Sequence, residues 1–294
     1  MCGVLGVQLS AKKFLRPAVI CKALGFIFNM RAQTVAVPQP KLDKAFRCIQ
    51  QMLHDGAAAR KQLERLVGLL QWFAPILFPS RVMLRALIDQ LVQCPALSGS
   101  TVELTIDAKQ ALLWWLHWAQ SLNACPFDAV LGIFPGDTVS VFTDASDWGI
   151  GAWAPPLFFA CAFVDMPARW RYMQFEDIAV REIFAVAVAL FSWRRCFAGQ
   201  KLRLCLDNTT AHAALKKLSS RNRSVMHFVR FIALLALQDQ FRWFNHWLAS
   251  AANATADALS RNRMTDFQIL TFGKETQESP ARFCDFLFVD VGHV

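Results

Sequence analysis

Residues 139–164 read VSVFTDASDWGIGAWAPPLFFACAFV, and this stretch decides the fold. Apolar and β-branched residues lead from Val139 into a polar turn at Ser146, which predicts a first strand. Two more strands follow, with the turn at Pro155–Pro156 between them. The stretch therefore predicts a meander of three strands, and Asp144 lies at the end of the first one.

The chain after this meander alternates between helices and strands. The segment DIAVREIFAVAVALFSWRRCF (177–197) predicts a long, mostly buried helix. The elements predicted after it are a strand in KLRLCLDNTT (201–210), helices at about 209–218 and about 225–238, a final strand in FRWFNHW (241–247), and a last helix in NATADALSR (253–261) with Asn253 as its cap. A meander followed by such an alternation indicates an α/β fold with a mixed sheet flanked by helices.

The first part of the chain has a mostly helical pattern. Two short β-like runs lie in residues 24–39, and they are followed by helical stretches at about 40–53, about 60–77, about 80–92 and about 106–122. Proline and glycine punctuate residues 125–138, where the pattern changes. We therefore expect a first region over 1–135, a mixed-sheet domain over 136–265 and a tail of uncertain role over 266–294.

The composition excludes a disordered chain and argues against a membrane protein. Hydrophobic residues make up 55% of the sequence, enough apolar surface to form a core. The longest nearly uncharged apolar stretch, Ile183–Trp193, is well short of the roughly 20 residues that cross a bilayer. The nine cysteines include no close CxxC pair and the N-terminus lacks the pattern of a signal peptide. We therefore expect reduced thiols in an intracellular protein, in the nucleus or the cytoplasm.

The net charge of +9 is unevenly placed: residues 1–135 hold 14 basic and 7 acidic side chains, and residues 136–294 hold 17 and 15. Residues 208–238 contain no acidic residue, and their basic residues are Lys216, Lys217, Arg221, Arg223 and Arg230. A basic excess of this kind suits a polyanionic partner such as nucleic acid. An ordinary solvated basic face is the alternative interpretation.

Four acidic residues stand in positions that favour a metal site: Asp144, Glu182, Asp207 and Asp257. Glu182 lies in an otherwise almost wholly apolar helix, and no matching buried basic residue is evident near any of the four acids. Buried carboxylates need compensation, and a divalent cation such as Mg²⁺ or Mn²⁺ supplies it through hard oxygen ligands. Each acid also has a structural alternative: a turn cap for Asp144, a helix cap for Asp207, a first-turn acid for Asp257, and a water-facing edge of the helix for Glu182.

The segments around these acids resemble a known family. FTDASDWGIGAW, REIFAVAVALFSWR, LCLDNTTAHAAL and NATADALSR are similar, in order and context, to the four acidic motifs of retroelement RNase H domains. The run DNTTAHAALKKLSSRNRS, followed by an apolar helix and ADALSR, is most similar to DIRS-like retrotransposons. The first part agrees, because LGFIFNMRAQTVAVPQPKLDKAF and QLERLVGLLQWFAPILFPSRVMLRALIDQL resemble the late palm and thumb of these reverse transcriptases, and LTIDAKQALLWWLHW their connection region. The resemblance covers roughly residues 24–263.

The resemblance implies an RNase H-like domain and a function for it. The four acids match the family's metal-binding carboxylates. The resemblance implies that they bind two Mg²⁺ or Mn²⁺ ions and that the domain hydrolyses the RNA strand of an RNA–DNA hybrid. His246 resembles a histidine thought to help release product or move protons, although its loop, HWLASAAN, is one residue longer than usual and lacks the family's Pro-Gly turn. A histidine satisfied at the end of a strand is the alternative. The residues expected to contact nucleic acid are Ser146, Asn208, Thr209, Lys217, Arg221 and Arg223.

The sequence departs from a whole reverse transcriptase. It contains no YxDD-type segment, and its one tyrosine is Tyr172. We therefore expect no polymerase activity from this chain, and the upstream polymerase portion of the same polyprotein as a partner. Two functions follow as hypotheses: an active RNase H-type endonuclease, and a non-catalytic nucleic-acid-binding remnant of a retrotransposon. Another nuclease of the RNase H superfamily, such as a resolvase or transposase, is a third, which the thumb-like first part disfavours.

Overall fold

The first part of the computed structural model is built mainly from helices. The structure describes residues 18–95, 101–131 and 137–283. The elements of the first part are β1 (Ile20–Ala23), β2 (Phe26–Asn29), β3 (Thr34–Ala36), α1 (Gln39–Asp55), β4 (Ala57–Ala59), α2 (Arg60–Phe73), α3 (Leu84–Gln93), β5 (Thr101–Glu103), α4 (Ile106–Trp118), β6 (Cys125–Pro126) and α5 (Phe127–Val130). Strands β1, β2, β3 and β6 form one antiparallel sheet, and β4 pairs with β5.

The predicted strands and helices of the first part are present, but α2, α3 and α4 differ from the prediction, and α4 ends at Trp118 instead of near residue 122. The α-helix over residues 60–73 ends earlier than predicted, and a 3₁₀ turn at Ser80–Met83 precedes α3. Pro75 and Pro79 lie in this segment and have no backbone N–H to continue helical hydrogen bonding. The bend brings Phe78 against Trp243 of the second part, with ring centroids 4.9 Å apart.

The second part contains a mixed sheet with helices on both faces, which confirms the predicted fold class. Its elements are β7 (Val139–Ala145), β8 (Gly149–Ala154), β9 (Leu157–Ala162), α6 (Ile178–Ser192), α7 (Arg194–Phe197), β10 (Lys201–Leu206), α8 (Thr209–Lys217), α9 (Arg223–Gln238), β11 (Arg242–Trp247), α10 (Ala254–Ser260), α11 (Met264–Leu270) and β12 (Gln277–Glu278). The strand order is β11-β10-β7-β8-β9-β12. The meander β7-β8-β9 is antiparallel, whereas β10 runs parallel to β7 and β11 parallel to β10.

The alternation of side chains along β7 divides the core between the two faces of the sheet. Val141 and Ala145 belong to the larger core, which includes α6 and α9. Phe142 points to the other face, where it stacks on Trp153 below α10 and α11. Because successive residues of a strand face opposite sides, Asp144 shares the α10 face with Phe142.

Two predictions about the ends of elements are wrong. The helix predicted over residues 177–197 is interrupted at Trp193, where the backbone leaves helical geometry, with φ −109° and ψ 17°. The strand at 241–247 and the helix at 253–261 are not the last elements. Part of the tail packs on the sheet: Phe267 of α11 is buried, and β12 pairs in parallel with β9.

Asn253 is the N-cap residue of α10, as predicted, but its side chain does not cap the helix. Asn253 ends a 3₁₀ turn and makes no side-chain cap hydrogen bond. It is fully buried, and its Nδ2 donates to the carbonyl oxygen of Thr143 at 3.0 Å. The side chain therefore ties the start of α10 to β7, the strand that carries Asp144.

Some expectations concern residues that lie outside the described ones. Among the nine cysteines, Cys2 and Cys284 lie there, as do part of the boundary segment and the last residues of the tail. Seven cysteines within the described ranges are free thiols. In residues 18–95, 101–131 and 137–283, no helix combines the length and apolar character needed to cross a membrane.

Gly151 allows α10 to approach the sheet closely. A Cβ atom at this position would lie 2.4 Å from the backbone nitrogen of Ser260 and 2.6 Å from Cβ of Leu259. Both distances are well inside van der Waals contact, and one involves backbone that cannot rotate away. The glycine in WGIGAW is therefore required by packing.

We predict that Gly151→Ala pushes α10 off the sheet and lowers the free energy of unfolding by about 1–3 kcal/mol, the usual cost of overpacking. Urea denaturation measures this change. Gly68→Ala is the matched control, because a Cβ atom added to Gly68 of α2 would meet no other atom within 4 Å, so that alanine is tolerated or stabilising there. Equal stability of Gly151→Ala and the parent would contradict this account of the packing.

Candidate metal centre

Three of the four predicted acids converge at one end of the sheet. Asp144 lies near the end of β7, Asp207 directly follows β10, and Glu182 is on the first part of α6. The parallel register pairs Cys205 with Phe142, so the next two residues along each strand bring Asp207 beside Asp144. One carboxylate oxygen from each of the three acids lies within 4.8 Å of the others. We call Asp144, Glu182 and Asp207 the carboxylate cluster.

The surroundings of the cluster disfavour the ionised form of its carboxyl groups. Asp144 is 5% exposed and Glu182 is 3% exposed. Burial, followed by the charges of Asp144 and Asp207, raises the pKa of Glu182 to about 9. Burial also raises the pKa of Asp144 to about 6, with further increases from Asp207 and Asp257, against a hydrogen bond from Ser260 that lowers it. Both directions follow from the cost of placing like charges together away from water.

The cluster has the properties of a metal site. Oε2 of Glu182 is buried and has no hydrogen-bond partner among the described residues. A buried polar atom without a partner is costly, and a cation bound there would satisfy it. Three carboxylates supply the hard oxygen ligands that divalent cations prefer. Asp144, Glu182 and Asp207 could therefore bind a metal ion.

Ser260 holds the Asp144 carboxylate from the α10 side. Its hydroxyl donates a short hydrogen bond to Oδ2 of Asp144. The backbone oxygen of Ser260 in turn accepts a hydrogen bond of 2.6 Å from the hydroxyl of Ser146. The hydrogen bond from Ser260 fixes the orientation of the Asp144 carboxylate and leaves its other oxygen, Oδ1, for a ligand. Ser260 was not among the predicted site residues; the local signal for it was its place on the same helix as Asp257, three residues later.

Asp257, the fourth predicted acid, does not join the carboxylate cluster. Its two oxygens accept hydrogen bonds from Nε of Arg261, at 2.6 Å, and from Nη2 of Arg263. The expectation that the four acids have no basic partners nearby is therefore wrong for Asp257. Among the described residues, Glu182 has no such pairing: its neighbour Arg181 is mostly buried, but it donates to the carbonyl oxygen of Ser146 at 2.8 Å and pairs with Asp147.

Two polar residues predicted to contact nucleic acid are used within the fold. The Ser146 hydroxyl is buried and also accepts from the backbone nitrogens of Trp148 and Gly149, at 3.0 and 3.3 Å. Oδ1 of Asn208 accepts from the nitrogen of Ala211 at 2.9 Å and caps α8. Both side chains therefore position the loops that follow Asp144 and Asp207. Thr209, by contrast, is exposed beside Asp207.

His246 lies on β11 with an exposed side chain. Among the described residues, it contributes no ligand atom to the carboxylate cluster. Its neighbour Trp247 makes the closer link, because the indole Nε1 donates to the carbonyl oxygen of Asp207 at 2.9 Å. Trp247 was not predicted as a site residue, and strand β11 reaches the cluster through it.

The predicted basic residues lie away from the cluster. Lys217 is exposed at the end of α8, and Arg221 and Arg223 are exposed in the loop and first turn that follow. Both arginines line a cavity of about 240 Å³ that also contains Asp89 and Asp107 of the first part. The positive charge of this surface is therefore partly offset by acids that the sequence placed more than 100 residues earlier.

Comparison with known proteins does not assign this site. No protein-family model matches the chain, and no curated protein matches its sequence.

We predict that the metal-free protein loses stability as pH rises and that Glu182→Gln removes much of this loss. A carboxyl group whose pKa is raised on folding, from 4.5 to about 9 for Glu182, binds protons more tightly in the folded state. Its stabilising contribution is therefore full below the lower value and is lost as pH rises through the higher one. At about pH 8, Glu182→Gln should melt higher than the parent, by about 2–4 °C for each kcal/mol relieved.

Thermal melting in a chelating buffer between about pH 5 and pH 9 measures this difference. Glu275→Gln is the control, because Glu275 is exposed and lies outside the cluster. A Glu182→Gln protein that melts at or below the parent near pH 8 would show that the carboxylate is not a source of instability.

We also predict that Ser260→Ala weakens divalent-metal binding by about 10-fold or more, the usual effect of removing a partner that orients a metal ligand. Isothermal titration with Mn²⁺ measures the affinity. Ser250→Ala, at an exposed serine in the turn before α10, should leave it unchanged. Retention of the parent affinity by Ser260→Ala would exclude an orienting role for the hydroxyl.

Proposed function

We propose that this chain is a metal-dependent nuclease of the RNase H type, which hydrolyses the RNA strand of RNA–DNA hybrids. The observation that carries the proposal is the convergence of Asp144, Glu182 and Asp207 from two strands and a helix, with ligand oxygens within 4.8 Å of one another. Buried carboxylates gathered in this way cost stability, which is the usual mark of a functional site.

The arrangement of the sheet supports the same proposal. Three antiparallel strands are followed by two parallel ones, and the third and fourth are linked by α6. This is the arrangement of RNase H-like domains, to which the motifs around the four acids are similar. The acidic positions on the first strand, the first long helix and the fourth strand then coincide with the cluster.

Mg²⁺ or Mn²⁺ is the proposed cofactor, as two ions. Divalent cations at such a site neutralise the charge of a phosphodiester and supply Lewis acidity for its hydrolysis. The protein's own part is to hold the ligands: β7 and β10 fix Asp144 and Asp207, Ser260 orients Asp144, and the buried Glu182 presents an oxygen without a partner. Asp257 remains the proposed fourth ligand, and its carboxylate must exchange Arg261 and Arg263 for the metal.

The proposed substrate is recognised through its backbone. The minor groove of an A-like hybrid displays 2′-hydroxyl groups, which distinguish RNA from DNA without reading sequence. Thr209 is exposed beside Asp207 and is placed for a sugar or phosphate contact, while Lys217, Arg221 and Arg223 offer charge to phosphates farther along. His246 keeps its proposed role in product release or proton transfer. The resemblance also makes the polymerase portion of the same polyprotein a proposed partner.

One observation favours the alternative, a non-catalytic nucleic-acid-binding remnant. Both oxygens of Asp257 are engaged by arginines instead of the carboxylate cluster. If that pairing persists when metal and substrate are present, the site has three ligands, and the protein would bind a hybrid without cutting it.

We predict that the purified protein cuts an RNA–DNA hybrid in Mg²⁺ or Mn²⁺ and that Asp144→Asn lowers the rate by about 100-fold or more, because it removes charge from the centre of the cluster. Gel analysis of an end-labelled hybrid measures the rate. Asp43→Asn, at an exposed acid on α1, serves as the control. Hybrid binding without cleavage in either metal would reject the nuclease and support the remnant.

A further inference from the structure

A second cavity, outside the carboxylate cluster, lies where the two parts of the chain meet. Its volume is about 550 Å³, and it is bordered by the α2–α3 segment on one side and by α8 and β11 on the other. A volume of this size lies in the range of small-ligand pockets. Much of the wall is apolar, with Phe78, Leu215 and Leu218 among the lining residues. The cavity is therefore large enough for a nucleotide-sized group with an apolar part.

The charged residues that line this cavity are all basic. They are Arg81, Lys216 and Arg242, and no acidic residue is among the described residues that line the wall. Within residues 18–95, 101–131 and 137–283, no carboxylate forms a salt bridge with any of the three. Other arginines of this protein do form such pairs, as Arg60 does with Glu64. Three cations around one concave apolar site favour an anionic ligand.

The shape of the site favours a single strand over a duplex. A duplex is a convex rod whose grooves receive protein elements, and it cannot enter a concave cavity of this size. A flexible single strand can place one nucleotide in it, with the phosphate against the cations and the sugar or base against the apolar wall. Arginine is well suited to the phosphate, because its guanidinium group forms paired hydrogen bonds with it.

The cavity and the carboxylate cluster lie at opposite ends of α8. Asn208 caps the helix directly after Asp207, and Lys216 is close to its other end. Nine residues, at 1.5 Å per residue, separate the two ends by about 13 Å. Strand β11 joins the same two places, since Arg242 lines the cavity and Trp247 contacts the Asp207 carbonyl oxygen. One nucleic-acid molecule could therefore contact both.

We propose that this cavity binds one nucleotide unit of a single-stranded segment that flanks the hybrid, with its phosphate held by Arg81, Lys216 and Arg242. The inference rests on the proposed function for its biological setting. The cavity provides a second contact, which holds the substrate while the hybrid lies at the carboxylate cluster. Single-stranded nucleic acid then binds in a salt-dependent manner and without sequence preference.

The test is binding of a fluorescein-labelled oligodeoxythymidylate of about 12 nucleotides, followed by fluorescence anisotropy in a chelating buffer. We expect Arg81→Ala and Lys216→Ala each to weaken binding by about three- to tenfold. Each should also reduce the slope of log affinity against log salt by about 0.7, the value for one phosphate contact on a single strand. Both side chains are exposed, so neither substitution should disturb folding, and thermal melting checks this.

Arg65→Ala is the matched control, because Arg65 is an exposed arginine on α2 that does not line the cavity. The proposal is overturned if Arg81→Ala and Lys216→Ala bind the probe as tightly as Arg65→Ala does. Because the probe is DNA and the buffer contains no free divalent metal, this result is independent of hybrid cleavage. If the parent protein binds the probe but does not cut an RNA–DNA hybrid, the nuclease is rejected and the assignment of the cavity stands.

Discussion

The mutual repulsion of three carboxylates in a largely buried place is the constraint on which the rest of this structure depends. Asp144 and Glu182 are almost inaccessible to water, and Asp207 completes the cluster from a neighbouring strand. Each acid comes from a different element, so the cluster exists only when β7, α6 and β10 have packed together. Folding therefore creates a site that is unstable by itself and that a cation would stabilise.

The helix α10 connects this constraint to the opposite face of the sheet. Gly151 lets the helix come close enough for the Ser260 hydroxyl to reach Asp144, and Ser146 stabilises the close approach by donating to the Ser260 carbonyl oxygen. Buried Asn253 anchors the start of the same helix to β7. Asp257 belongs to this helix as well, yet it turns toward arginines. The orientation of the Asp144 carboxylate therefore depends on how α10 packs, because a shift of α10 would move Ser260.

Positive charge is distributed to complement this acidic centre. Arg181, Arg261 and Arg263 lie close to the acids and pair with backbone or carboxylate oxygens. Arg81, Lys216 and Arg242 lie around the cavity between the two parts, and no acidic residue is among the described residues that line it. An anionic polymer that spans both places would meet the carboxylate cluster with its proposed metal ions at one end of α8. At the other end it would meet basic side chains that can bind its phosphates. The two parts share one hydrophobic core, which connects the cavity with the carboxylate cluster.

Local pattern in the sequence determined the main strands and helices around the site and three of its acids. Alternation and helical spacing are properties of neighbouring residues, so VSVFTDAS, KLRLCLDNTT and the apolar helix around Glu182 could be interpreted without a structure. Only the tertiary structure decided that Asp257 pairs with arginines, that Ser146 and Asn208 serve the fold, that Ser260 holds Asp144 and that the tail adds β12 to the sheet. The Ser260–Asp144 contact joins residues 116 positions apart. A sequence pattern shows which face of an element is apolar, whereas the side chains that meet across two faces are chosen by how the elements pack.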